Sequence, residues 1–178
     1  MISRLLGEIL FFQYILVMQI ITLGDELLRQ KAEKIDKIDD KVKNTAKLML
    51  EILKIDKGVG VAGPQIGFMK RIFVIHIEGD EERIFINPSI LETSVATAKF
   101  EEGCLSVPGI YANVIRSESV KIQAWNEKGR PFTLEAGGLL ARVIQHEYDH
   151  LEGVLFLDRV PEKKRAKLIE KFEKAKKK

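Results

Sequence analysis

The chain has 178 residues, of which 46% are hydrophobic and 31% are charged, and its formal net charge is +3. These values exclude a multidomain assembly and a disordered chain, and they indicate one globular domain with its own hydrophobic core. The single cysteine, Cys104, excludes an internal disulfide framework and favours a reducing cytoplasm as the location.

The N-terminal residues are strongly apolar, but Glu8, Gln13 and Gln19 interrupt the run. A membrane-spanning helix needs about 18 or more apolar residues, and a signal peptide needs a small-residue cleavage site that is not seen after this run. We therefore expect no membrane partner and interpret residues 1–17 as an apolar extension of unknown role. The catalytic domain is expected to cover 18–160.

The first half of the domain is predicted to contain one helix and one hairpin. Apolar residues at helical spacing predict a helix over 39–54, with aspartates at its N-terminal end. Glycines and a proline in 58–67 cannot continue that helix and predict a loop. The segments 71–77 and 83–87 are rich in β-branched and aromatic residues and predict two strands joined by a turn.

The second half is predicted to contain another hairpin and two helices. Residues 119–125 and 131–136 alternate apolar and polar residues around a turn that contains Gly129. A buried helix follows and ends at Gly153, and an amphipathic helix begins at Pro161. The fold class is therefore α+β, with antiparallel strands and hairpins packed around a central helix and an amphipathic helix at the C-terminus.

The C-terminal segment 161–178 is basic and is expected to belong to the same domain. It carries nine Lys or Arg residues and three Glu residues, an excess of six positive charges, so the rest of the chain carries a net −3. A basic body that grips DNA is therefore not expected. The segment is interpreted as a solvated helix, or as a tail that contacts an anionic partner.

The sequence His146-Glu147-Tyr148-Asp149-His150 carries the strongest chemical signal. Imidazoles at positions i and i+4 lie on the same face of a helix and can bind one metal ion. The alternative is a pair of solvated histidines on an exposed helix, which the apolar neighbours Ile144 and Leu151 disfavour.

A catalytic metal requires a third protein ligand and one open position. Cys104 is the candidate because Gly103 and Pro108 fix an irregular turn around it. A lone cysteine is more often a small buried hydrophobic residue, but the neighbouring histidine motif reverses that preference. His76 lies within a predicted strand and is interpreted as a packed histidine.

Two further residues have the chemistry of hydrolysis. Glu147 lies between the two histidines and is placed to exchange a proton with a metal-activated water, so the implied reaction is hydrolysis of an amide-like bond. Gln65, in the glycine-rich segment, supplies an uncharged amide donor that is suited to a developing oxyanion. The alternative for that segment is a plain surface turn, and it has neither signature of a phosphate-binding loop.

Three segments, taken together, resemble the peptide deformylases, metal hydrolases that remove formyl from the initiator methionine of new bacterial and organellar proteins. They are the glycine loop that ends in Gly63-Pro64-Gln65, the stretch Glu102-Gly103-Cys104-Leu105-Ser106, and the helix motif Gln145-His146-Glu147-Tyr148-Asp149-His150. The likeness extends from about Met18 to Val160. Gly63 replaces the family's usual Ala, and we expect this to loosen the position of Gln65.

The resemblance assigns a role to individual residues. It implies that Cys104, His146 and His150 bind the metal and that Glu147 is the acid and base. It further implies that Gln65 and the Leu105 backbone N–H contact the oxyanion. The residues implied to contact the substrate are Val59, Gly60, Glu102 and Gly103.

The resemblance also favours Fe²⁺ as the metal, although a thiolate with two imidazoles also accepts Zn²⁺, Ni²⁺ or Co²⁺. The implied partners are formylmethionyl nascent peptides in the cytoplasm, with the ribosome as a candidate partner of the basic helix. Two rival functions are a general zinc endopeptidase and an inactive binding module with a structural metal. The first does not normally use a cysteine ligand, and the second needs a fourth ligand that is not evident.

Overall fold

The computed structural model describes residues 19–176, which contain seven β-strands and three α-helices. The helices are α1 (Asp40–Asp56), α2 (Gly138–Leu151) and α3 (Glu162–Lys176). The strands are β1 (Gly60–Ala62), β2 (Ile72–Ile75), β3 (Arg83–Thr93), β4 (Thr97–Glu102), β5 (Ala112–Ser117), β6 (Ser119–Trp125) and β7 (Pro131–Gly137).

The strands form two antiparallel sheets. The larger sheet has the order β1-β2-β3-β6-β7, and β4 pairs with β5 in a separate two-stranded sheet. The mixture of antiparallel hairpins and separate helices confirms the predicted α+β class. It also leaves β1 as an edge strand of the larger sheet, with one side of its backbone unpaired by β2.

Helices cover both faces of the larger sheet near β2. All four residues of β2 are buried, and their side chains alternate between two hydrophobic clusters. Phe73 and Ile75 pack with residues of α2, whereas Ile72 and Val74 pack with residues of α1. This double coverage makes α2 a central, buried helix, as the sequence predicts.

The ends of α1 follow from local chemistry. The Asp39 carboxylate accepts a hydrogen bond from the Val42 N–H at 3.0 Å and so caps the first turn. The helix ends at Asp56, and the residue that caps it, Lys57, has a φ of 53° in the left-handed region. The chain then turns directly into β1, at the mouth of the cleft described below.

A third cluster joins the C-terminal helix to the body of the protein. Phe172 of α3 is buried against residues that include Val114 of β5 and Leu157, and Leu168 and Ile169 pack at its edge. The predicted amphipathic helix is confirmed. The predicted extension 1–17 lies outside the described residues, and none of the helices within 19–176 is long and apolar enough to cross a membrane.

The structure confirms both predicted hairpins and corrects the sequence interpretation in two places. The segment 58–67, predicted to be a loop, contains strand β1 and a 3₁₀ turn, Gly63–Ile66. The pair β4 and β5 was not predicted, because β4 has only six residues, most of them exposed, and the alternation of Ala98 and Phe100 with polar residues is too short to give a clear signal. Both omissions lie beside the functional cleft.

Gly153, which follows α2, allows a test of close packing in this fold. Its φ is 72°, and an added Cβ would overlap the Arg29 carbonyl oxygen. Gly79 has a similar φ of 81° but open space around the Cβ position. We expect Gly79→Ala to lower the free energy of unfolding by about 1 to 2 kcal/mol, and Gly153→Ala by about 1 to 3 kcal/mol more. Urea denaturation measures both, and equal losses would contradict the packing described.

Candidate metal centre

The central helix α2 presents two imidazoles toward the loop after β4. The rings of His146 and His150 lie with centroids 5.1 Å apart, and Cys104 approaches them from the loop. The candidate ligand atoms of these three residues all lie within 4.8 Å of one another. One sulfur and two imidazole nitrogens form a donor set suited to a transition metal, with room for a further ligand.

The Cys104 sulfur is held by two nitrogen atoms. It lies 3.2 Å from His150 Nε2 and 3.5 Å from Gln65 Nε2. Burial, together with the positive charge of His146 and neighbouring arginines, holds the pKa of His150 well below its usual range. A neutral imidazole is the form that binds a metal, so the surroundings of His150 favour that role.

Glu102 fixes the orientation of His146. The carboxylate lies 3.0 Å from His146 Nδ1 and also accepts hydrogen bonds from Arg116 and Arg142. Burial opposes ionisation, but the bonds from His146 and Arg116 hold the pKa of Glu102 well below its usual range. An ionised carboxylate only accepts, so Glu102 keeps a proton on His146 Nδ1. Burial opposes a charge on His146, but hydrogen bonds with Cys104 and Glu102 raise its pKa to about 10, so a metal that binds Nε2 would replace the proton held there.

Glu147 is buried next to this donor set. Its Oε2 atom has no hydrogen-bond partner among the described residues, and burial raises the pKa of the carboxyl group to about 7. A Cβ added at Gly60 would lie 2.5 Å from Glu147 Oε1, so only a glycine here lets the carboxylate lie this close to the β1 backbone. Glu147 is therefore able to gain and lose a proton near neutral pH at the floor of the cleft.

Gln65 is locked in one orientation. Its Oε1 accepts the Ala62 N–H at 2.8 Å, and its Nε2 donates to Ser106 Oγ at 3.2 Å. The expectation that Gly63 loosens this residue is wrong. The Gly63 backbone packs so closely against the Phe68 and Lys70 carbonyls that an added Cβ would overlap them. The amide donor of Gln65 is thus held beside the cysteine sulfur.

The open edge of β1 forms one wall of the cleft. His76 N–H donates to the Val59 carbonyl, and the pairing register continues through Gly60 opposite Ile75. In an antiparallel ladder alternate residues point their N–H and C=O groups to opposite sides, so those of Gly60 face away from β2 and toward the cleft. An extended peptide can add to that edge.

The opposite wall contains Gly103 and Leu105. The Tyr111 ring occupies the space of a side chain at Gly103, where an added Cβ would lie 2.7 Å from Tyr111 Cε1. The Leu105 N–H has no acceptor among residues 19–176. The cleft between the walls has a volume of about 420 Å³, and Leu139 and Val143 give part of its lining an apolar character.

The structure brings most of the sequence-predicted residues to this cleft. It is lined by Val59, Gly60, Gln65, Glu102, Gly103, Cys104, Leu105, His146 and Glu147, and His150 lies directly behind it. The Glu102 carboxylate is engaged by Arg116, Arg142 and His146, so the predicted substrate contact of Glu102 would be made by its backbone. Within the described residues, His76 lies outside the metal-ligand group.

Sequence reasoning missed the arginines and Asp149 around Glu102. Arg142 precedes His146 by four residues on α2, and Asp149 follows it by three, so helical spacing places all three near one face. That spacing is a signal that was available. Arg116 lies on β5, a strand that was not predicted, and no local pattern connects it to the helix.

Comparison with known proteins gives a consistent result. The sequence model of the family described as polypeptide deformylase matches residues 17–166. Peptide deformylase from Prochlorococcus marinus subsp. pastoris is 47% identical over 150 residues, which cover 82% of this chain and 75% of the relative. Peptide deformylase from Borreliella burgdorferi is 45% identical over 157 residues, covering 87% and 94%.

Solved structures give the same result for the fold. The structure of a peptide deformylase from Synechococcus elongatus, in complex with actinonin, superposes with a TM-score of 0.83 at 42% identity. The superposition covers 89% of this chain and 88% of the other. A peptide deformylase from Legionella pneumophila superposes with a TM-score of 0.86 at 38% identity, covering 90% and 96%.

The three-residue donor set predicts the stoichiometry of metal binding. We expect the protein to bind one equivalent of Co²⁺, and Cys104→Ala to weaken binding by more than the 10- to 100-fold typical of losing a group that only orients a ligand. His76→Ala is the matched control and should still bind one equivalent. Titration with Co²⁺ in competition with a chelator measures both variants. Unchanged affinity in Cys104→Ala would remove the sulfur from the donor set.

Proposed function

The chain belongs to the polypeptide deformylase family and is an enzyme that removes formyl from the N-terminal methionine of new polypeptides, and we propose that the centre described above performs this reaction. The convergence of Cys104, His146 and His150 beside Glu147 carries the proposal. These residues lie in a cleft with an unpaired strand edge, which suits a peptide whose end is to be hydrolysed.

Cys104, His146 and His150 are the proposed metal ligands. A divalent metal held there would polarise a carbonyl and lower the pKa of a water molecule, which is the chemistry needed for attack on a formyl amide. Glu102 orients His146, and Glu147 remains outside the donor set. The single thiol is then used as a ligand, which agrees with a location in the reducing cytoplasm. Cell fractionation tests that location.

The substrate backbone is proposed to lie between β1 and the Gly103 segment. Gly60 offers an N–H and a C=O toward the cleft, so a formylated peptide can pair with it as an added strand. Val59 and Gly103 flank that strand, and Glu102 contributes through its backbone because its carboxylate is occupied. The apolar side chains of Leu139 and Val143 suit a methionine side chain.

Two donors are proposed to stabilise the oxyanion that forms on the formyl oxygen. The Gln65 amide lies beside the Cys104 sulfur and is held by Ala62 and Ser106. The Leu105 N–H lies next in sequence to Cys104 and has no acceptor among the described residues. Donors fixed before the reaction need no reorganisation when negative charge develops, which lowers the barrier.

Glu147 is proposed to carry the proton between water and the leaving amine. Its carboxylate is buried and its Oε2 has no partner in the described part of the chain, so it is free to accept a proton from water. It can then donate that proton to the amine nitrogen as the carbon–nitrogen bond breaks, so that formate and a free N-terminus result.

Fe²⁺ is the proposed metal. A thiolate with two imidazoles accepts Fe²⁺, Zn²⁺, Ni²⁺ or Co²⁺, so the choice rests on the family resemblance and not on the donor set. Metal analysis of protein purified without oxygen identifies the ion. Zinc in place of iron in such a preparation would contradict this choice without affecting the proposed ligands.

Glu147→Gln tests the proton transfer directly. The substitution keeps the shape of the side chain and removes the ionisable group, so turnover of formyl-Met-Ala-Ser should fall by about 10²- to 10⁴-fold while the metal content is unchanged. Glu118→Gln, at an exposed glutamate between β5 and β6, is the matched control and should keep full activity. Formate release and metal content are measured on the same samples. Turnover by Glu147→Gln within a few-fold of the unchanged protein would contradict the assigned role.

The basic face of α3 is proposed to contact ribosomal RNA, where formylated substrates emerge. Lys163, Lys167 and Lys171 are exposed at four-residue intervals on one side of the helix. Polyanions bind such faces with a strong dependence on salt. Deleting the helix would also remove the buried Phe172, so substitution of the lysines is the cleaner test.

We expect salt-sensitive cosedimentation with ribosomes to be lost in a triple variant, because three phosphate contacts are removed. The variant combines Lys163→Gln, Lys167→Gln and Lys171→Gln. The control changes three exposed lysines elsewhere, Lys34, Lys41 and Lys47, and so alters the net charge equally. Equal losses in both variants would show that only net charge matters and would contradict a contact through α3.

A further inference from the structure

A chain of buried charged groups connects the surface to the candidate ligand His146. Arg159 contacts the Asp149 carboxylate through Nε and Nη2, and Asp149 accepts Arg116 Nη1 at 2.8 Å. Arg116 in turn donates to both Glu102 oxygens, at 2.7 and 2.9 Å. Glu102 finally accepts His146 Nδ1–H at 3.0 Å.

Arg116 stands at the middle of this chain and has little freedom. Its side chain is 2% exposed, and those of Glu102 and Asp149 are 5% and 8% exposed. Buried charges keep their ionised forms only when partners and hydrogen bonds offset the loss of water. The position of the Arg116 guanidinium is therefore set by the carboxylates on either side of it.

Among these linked charged groups, the Asp149 carboxylate depends most on a partner from outside helix α2. It lies in the last turn of α2, where the exposed carbonyls give the helix end a negative partial charge that opposes a carboxylate. The N–H groups of Glu152 and Val154 bond the Asp149 backbone carbonyl and leave the side chain to the arginines. Arg159 binds both carboxylate oxygens and so fixes the plane of the group.

Arg159 itself is held from outside the site. It is the last residue of a 3₁₀ helix, Phe156–Arg159, whose Phe156 and Leu157 are buried in the cluster that anchors α3. Its side chain is 44% exposed, so it can be changed with little loss of packing. The guanidinium thus lies at the edge of the charged chain but outside the metal-binding cleft.

We propose that Arg159 is a positioning residue for His146, acting through Asp149, Arg116 and Glu102. Arg159 fixes Asp149, the two carboxylates fix Arg116, and Arg116 sets the Glu102 oxygen that holds the Nδ1–H of His146. Removing Arg159 frees Asp149 to follow Arg116, so the Glu102 oxygen and the imidazole lose their defined placement. This inference rests on the proposed role of His146 as a metal ligand.

The experiment compares three variants of the full chain. Arg159→Gln removes the guanidinium, Arg159→Lys keeps its charge, and Arg165→Gln is the matched control, since Arg165 pairs with Asp158 and makes no contact with Asp149. The probe is Co²⁺, and the readouts are its affinity in competition with a chelator, its visible absorption spectrum and the thermal stability of the metal-free protein.

Loss of an orienting partner typically weakens metal binding by about 10- to 100-fold. We expect Arg159→Gln to weaken Co²⁺ binding by about 10-fold and to shift the absorption spectrum. Arg159→Lys should have an affinity between those of Arg159→Gln and the unchanged protein. Arg165→Gln should change neither the affinity nor the spectrum. If Arg159→Gln has a lower thermal stability but an unchanged Co²⁺ affinity and spectrum, Arg159 only stabilises the fold. That result would overturn the proposal.

A double-mutant cycle tests the route. In a Glu102→Gln background the last connection to His146 is altered, so Arg159→Gln should weaken Co²⁺ binding by much less than it does alone. Equal effects in both backgrounds would exclude the route through Glu102. If the unchanged protein fails to bind one equivalent of Co²⁺, the proposed metal centre is refuted. If the unchanged protein binds Co²⁺ and Arg159→Gln binds it with the same affinity, only the positioning role of Arg159 is refuted.

Discussion

Glu102 accepts hydrogen bonds from three cationic or imidazole groups in the interior of the protein, and the candidate site depends on that arrangement. Arg116 comes from β5, Arg142 and His146 come from α2, and Glu102 ends β4. One carboxylate thereby ties the two-stranded sheet to the central helix. Because Cys104 follows Glu102 by two residues, the same tie brings the cysteine sulfur to the imidazoles.

This arrangement separates the residues that orient His146 from those proposed to take part in the reaction. Arginines and carboxylates neutralise one another around the site, so that His146 is fixed by a carboxylate whose charge is itself paired. Glu147 lies on the same helix but has no such partner for Oε2 among the described residues, which leaves one carboxylate oxygen available for proton transfer. The lack of a side chain at Gly60 lets the Glu147 carboxylate lie close to the β1 backbone, whose unpaired edge offers hydrogen-bonding groups to an extended peptide.

Sequence patterns predicted the parts of this molecule that depend on neighbouring residues. The four-residue spacing of His146 and His150, the hairpin of β2 and β3 and the amphipathic α3 all follow from local periodicity. Residue chemistry also named Cys104 and Gln65 as candidates, and the family motifs assigned them to one site, which no local rule could have done.

The remaining features depend on contacts between distant residues. Arg116 meets Glu102 and Asp149 only because β5 pairs with β4 beside α2, and Arg159 reaches Asp149 only after the chain has turned beyond Gly153. Strand β1 has three residues and a glycine at its start, too short a segment to show alternation. Gly63 misled the sequence reading because the two carbonyls packed against it belong to a later loop.

The activity proposed for this centre is hydrolysis of the formyl group on an N-terminal methionine. Release of formate from formyl-Met-Ala-Ser, by protein purified without oxygen and analysed for metal in the same sample, tests it most directly. We expect sustained formate release from protein that holds one equivalent of iron per chain. A filled metal site with no formate released would contradict it.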